Sequence, residues 1–126
     1  MNGARVFPGT LDAAMEAEAW ANAEAERRAF SPDAAYALSL CLEELFVNAV
    51  RHGRAREIRL ALTADGLEFR DNGAAFYPTR AAARQSNGAQ DFEIGGFGLG
   101  LLQKFAARLD YAKEAGWNVV TLALPQ

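Results

Sequence analysis

The stretch "LSLCLEELFVNAV", residues 38–50, is apolar on almost every face when wound as a helix, and it constrains the chain more than any other feature. Such a helix must be covered on several sides, so the rest of the chain has to supply an apolar layer against it. Yet Glu44 and Asn48 sit within it. They stand four apart, so a carboxylate and an amide share one face, with Arg51 and His52 following about one turn later. Burying an unpaired group of either kind costs roughly several kcal/mol at the upper end. The stripe is therefore satisfied internally or faces a polar ligand, and the residues alone leave both open. Glu43 beside it reads as a solvated carboxylate.

The chain has 126 residues, 51% of them hydrophobic, enough for one domain with a real core. A short strand is expected near residues 5–7, then a helix over about 11–30 and a break at "SPD". Ser31 followed by Pro32 announces a second helix over about 33–52, closed by Gly53 as a C-cap. "EIRLALT" and "LEFRD" read as strands joined through Ala64, Asp65 and Gly66. Periodicity is lost over 74–94, a third helix is expected to run to about Leu109, and the chain closes with a hairpin turning at Glu114 to Gly116. Two hairpins imply a mostly antiparallel mixed sheet. The economical architecture is α+β: a two-layer sandwich with the helices on one face. The first helix carries many alanines and glutamates and a thin apolar stripe through Leu11, Met15 and Trp20; it serves as a packed, exposed helix or as a partner surface.

Thirteen Lys and Arg against sixteen Asp and Glu give a net charge of -3, which argues against general nucleic-acid binding. The local cluster Arg51, Arg54, Arg56 and Arg59 reads as a solvated helix end and strand edge. A lone cysteine, Cys41, permits no intrachain disulfide and fits a reducing, cytoplasmic compartment. No signal-peptide layout opens the chain, and no apolar run approaches the roughly 20 residues that span a bilayer.

Two further stretches carry chemistry. "FRDNGAAF" ends a strand on Asp71, with Gly73 two residues on. The tripeptide Asp-Asn-Gly suits a hairpin turn, but the next residues, "AAFYPTRAAARQS", lack the alternation needed to pair back, and a carboxylate beside a glycine also suits recognition of an amine-bearing base. "GGFGLGLLQKF", residues 95–105, sets glycines against a helix start. That is the arrangement of a phosphate-binding helix terminus, or of a mobile loop. A Walker loop would need Lys followed by Ser or Thr where Leu101 and Leu102 stand, and a dinucleotide-binding turn needs Gly-x-Gly-x-x-Gly after a buried strand rather than Gly-x-Gly-x-Gly after "SNGAQDFEI".

In combination, "EELFVNAVRHG", "DNGAAFYP" and "GGFGLGLL", in that order, resemble the GHKL ATPase superfamily, with its histidine-kinase-like ATP-binding fold. More closely, they resemble the anti-sigma factor serine kinases of bacterial partner-switching modules, over nearly the whole chain. The resemblance implies that the chain binds ATP and Mg2+, with Asn48 as metal ligand and Glu44 as general base. It further implies that Asp71 accepts the adenine amine, with Gly73 and Phe76 beside the base. Residues 77–94 would form a lid, hinged by Gly96, Gly98 and Gly100, and the stretch through Leu99 and Leu101 would meet the phosphates together with Arg51 or His52. The implied partners are a small antagonist protein, phosphorylated on serine or threonine, and a sigma factor; homodimers are common among such relatives. A nucleotide-gated binding module without catalysis is the alternative.

Overall fold

A computed structural model describes residues 4–74, 102 and 104–125. Strand β1 (Ala4–Pro8) leads into helix α1 (Leu11–Arg27) and helix α2 (Pro32–Arg51). Strands β2 (Glu57–Leu62) and β3 (Gly66–Asp71) come next, and β4 (Arg108–Glu114) and β5 (Trp117–Ala123) complete the order. The five strands form one sheet in the order β1-β2-β3-β5-β4. Every pairing among the described residues is antiparallel, in line with the mostly antiparallel sheet expected.

Both helices start where side chains can satisfy free backbone N–H groups. The Thr10 and Ser31 hydroxyls accept from the amides of Ala13 and Ala34, at 3.3 and 3.0 Å, and Pro32 opens α2. The exit of α1 is less relaxed. Ala29 adopts φ 57, a left-handed conformation usually given to glycine, while the Phe30 amide donates to the Ala25 carbonyl at 2.9 Å. At the end of α2, the amides of His52 and Gly53 both donate to the Asn48 carbonyl, at 2.9 and 3.1 Å. Gly53 is not left-handed, contrary to the expected C-cap; Arg54, with φ 54, takes that conformation one residue later.

The packing face of α1 differs from the expected stripe. Leu11 and Met15 are exposed, and Trp20 is half-buried against Phe7; the buried row is Ala13, Ala17, Ala21 and Ala25. Alanine every fourth residue lets two helix backbones approach closely, so here smallness rather than hydrophobicity marks the inner face. The Ser39 hydroxyl on α2 donates to the Asn22 side-chain oxygen on α1 at 3.0 Å, closing the same seam.

α2 is the buried helix its composition demands. Leu38, Cys41, Leu42, Leu45 and Phe46 are enclosed between α1 and the sheet. Phe46 makes edge-to-face contacts with Phe7 and Phe69 at 6.4 and 6.3 Å, joining helix to strands β1 and β3. Alternation along β2 turns Ile58, Leu60 and Leu62 inward and leaves Arg59 on the opposite face, over the Trp117 ring at 4.3 Å and paired with Glu57 at 2.7 Å. β2 lies second in the sheet, so Arg59 belongs to an open face and not to a strand edge.

The helical stretch containing Leu102, Lys104 and Phe105 stops short of its expected end. The Ala107 amide donates to the Ala123 carbonyl at 2.7 Å, and Arg108 and Leu109 are already paired with Ala123 and Leu122 in the sheet. The final hairpin turns on Ala115 and Gly116, with φ 49 and 87, as the sequence leads one to expect.

Candidate nucleotide site

Asp71, Asn72 and Gly73 each have a separate task where β3 ends. Asp71 faces the helix layer and is buried. Its Oδ1 accepts the Gly73 amide at 2.8 Å, so the tripeptide makes a side-chain-to-backbone turn and not a hairpin. The Asn72 side-chain oxygen accepts the amides of Arg56 and Glu57, both at 2.9 Å, and so ties the end of β3 to the start of β2. Gly73 lies against the exit of α2: a Cβ there would stand 2.6 Å from the Gly53 carbonyl oxygen, beside the bond that the Ala74 amide donates to that oxygen at 2.8 Å. The backbone of the strand end thus fits directly onto the end of the helix that carries Glu44 and Asn48.

A pocket lies at this joint, lined by Leu45, Ala49 and Gly53 on one side and by Phe69, Asp71 and Asn118 on the other. Its walls are largely apolar, with one buried carboxylate. Among the described residues, Asp71 Oδ2 has no hydrogen-bond partner, because Oδ1 takes both of the donors that reach the carboxylate. One acceptor is left for a ligand amine.

Asn48, adjacent to the pocket residue Ala49, is 7% exposed, and its amide nitrogen is enclosed without a partner among the described residues. An enclosed NH2 in this condition calls for an acceptor, such as a water or a phosphate oxygen. Glu44, one turn earlier on the same face, is half-buried; burial, and then the Glu43 carboxylate, raise its pKa above the ordinary carboxyl value. Glu43 itself is exposed, as expected. Arg51 and His52 sit exposed where α2 ends. Phe76, Gly96, Gly98, Leu99, Gly100 and Leu101, together with the lid expected over 77–94, lie outside the described residues.

The Asn48 carboxamide and the nearby Glu44 carboxylate carry oxygens of the kind a hard cation such as magnesium takes. Sequence reasoning missed Asn118. It is 1% exposed on β5, opposite Asp71 in the ladder, and its side-chain nitrogen lies 3.0 Å from Asp71 Oδ1. An asparagine among the apolar residues of "WNVVTLAL" is the signal that could have found it.

An antiparallel sheet covered on one face by two helices, with a strand-end aspartate sharing a pocket with residues of the buried helix, is the α+β layout that the motif resemblance implies for an ATP-binding domain. Residues 7–124 match the histidine kinase-like ATPase domain, and the chain belongs to that family. It is also similar to the serine/threonine-protein kinase BtrW of Bordetella bronchiseptica, 34% identical over 122 residues that cover 90% of this chain and 86% of the relative. The resemblance drawn from the motifs therefore stands, and ATP is the nucleotide the family implies.

Proposed function

We propose that the chain is a magnesium-dependent protein kinase that transfers the terminal phosphoryl group of ATP to a serine or threonine of a small antagonist protein. In a partner-switching module of the cytoplasm, that transfer would release a sigma factor from sequestration. The observation that carries the reading is the pairing on α2 of Asn48, whose amide has no partner among the described residues, with Glu44, whose carboxyl is raised by burial. Similarity to a serine/threonine-protein kinase over most of both chains supports the same activity.

The roles rest on the chemistry of each group. Asp71 Oδ2 accepts the adenine 6-amino group while the apolar walls of the pocket exclude water from the ring. Asn48 offers its side-chain oxygen to magnesium, whose charge, when bound, offsets that of the phosphates. Glu44 takes the proton of the attacking hydroxyl, and a carboxyl whose pKa is raised toward neutrality is a better base than an ordinary one. Most of the acceleration would come from alignment and charge neutralisation. We further propose a homodimer, with neither nucleic acid nor membrane as a direct partner.

Incubation with labelled ATP, magnesium and candidate antagonists from neighbouring genes tests the reading. Transfer to a hydroxyl residue is expected. For Glu44→Gln, transfer should fall about a hundredfold with nucleotide binding retained. ATP binding without transfer to any candidate would favour the nucleotide-gated module instead.

A further inference from the structure

Asn118 is buried at the crossing of two ladders, opposite Asp71 in one and opposite Lys113 in the other. Its side-chain NH2 faces three oxygens: Asp71 Oδ1 at 3.0 Å, the Gly73 carbonyl at 3.2 Å and the Ala74 carbonyl at 2.9 Å. Its oxygen accepts the Tyr111 hydroxyl at 2.6 Å and the Lys113 ammonium at 3.3 Å. An ammonium can only donate, so the amide has one workable orientation, with nitrogen toward Asp71. The β4–β5 hairpin thereby dictates which atoms surround the carboxylate. Two N–H donors, from Gly73 and Asn118, thus fix Oδ1 and with it the direction in which Oδ2 points.

We propose that Asn118 is the positioning residue that makes this site select a 6-amino purine over a 6-oxo purine. The proposal rests on the reading that Asp71 receives the adenine amine. Without the amide, Asp71 keeps only the Gly73 donor. The carboxylate is then free to turn, and Oδ2 loses its fixed aim at the group on position 6 of the base. The selectivity of the site therefore lies one residue behind the group that touches the base. A purely structural asparagine would affect all nucleotides alike.

The test is equilibrium binding of ATP and inosine triphosphate to the full chain, in wild type, Asn118→Leu and Tyr111→Phe, with the folded state of each checked by thermal melting. These two nucleotides differ in the group at position 6 and its attendant ring proton. Wild type is expected to prefer ATP by on the order of a hundredfold, the scale of a hydrogen bond to a charged group replaced by two opposed acceptors. In Asn118→Leu the preference should shrink by about tenfold or more, and in Tyr111→Phe, which removes one of the two donors orienting the amide, by about threefold. An unchanged ratio in a folded Asn118→Leu overturns the proposal, even if both affinities drop. Should that variant not fold, an unchanged ratio in Tyr111→Phe overturns it. Wild type that binds ATP without discrimination refutes the proposal alone; wild type that binds neither nucleotide removes the adenosine reading and the proposal with it.

Discussion

Gly73→Ala tests whether the strand end and the helix exit are fitted backbone to backbone. The new methyl would lie 2.6 Å from the Gly53 oxygen, 2.9 Å from the Gly53 carbonyl carbon and 3.0 Å from the Ala55 nitrogen. All three are main-chain atoms, so no rotamer change relieves the clash, and the two segments must separate. Forcing a methyl into such a contact costs about 1–3 kcal/mol. Separation also stretches the bond from the Ala74 amide to the Gly53 oxygen, worth about 1 kcal/mol. Against this, alanine restricts the unfolded chain and returns about 0.4–1 kcal/mol, since residue 73 is not among those with positive φ. The net loss is about 1–4 kcal/mol. In urea denaturation followed by circular dichroism, the midpoint should fall by roughly 1 M at an unchanged slope, and ATP affinity should weaken because Asp71 moves with the joint. A midpoint within about 0.2 M of wild type would refute the fitted-backbone argument.

Other perturbations separate the remaining claims. Glu44 has a folded-state pKa above its ordinary value of 4.5, so the folded chain binds its proton more tightly than the unfolded one does. Its contribution favours folding below pH 4.5 and is lost as pH rises through the folded value. Glu44→Gln should therefore melt higher than wild type at about pH 7, with the difference vanishing toward about pH 4; a lower melting temperature at neutral pH would contradict the sign. Cys41 is fully buried, and burial followed by the Glu44 charge pushes its thiol up to about 12. It should resist a thiol reagent at about pH 8 until denaturant is added, and immediate labelling of the native protein would show the core to be open. Ala29→Gly relieves a left-handed alanine at the exit of α1 and should raise stability by about 1 kcal/mol in the same urea assay, whereas destabilisation would mean the methyl contributes packing.

The sequence by itself determined what each segment had to be. Apolar character all round required residues 38–50 to be a buried helix, and Ser31 with Pro32 announced where that helix starts. Alternation and turn residues marked the strands and hairpins, because these signals depend on neighbours a few residues away. The i, i+4 spacing likewise placed Glu44 and Asn48 on one face before any fold was known. Only the tertiary structure decided how the pieces meet. That alanines rather than Leu11 and Met15 face α2 depends on how close two helix axes can come, which no single-helix periodicity records. The strand that replaces the expected end of the third helix forms because Ala107 and Arg108 find partners on β5, distant in sequence. Asn118 acquires its place beside Asp71 in the same way: the two are 47 residues apart, and a hydrogen-bonded ladder, not local propensity, brings them within 3.0 Å.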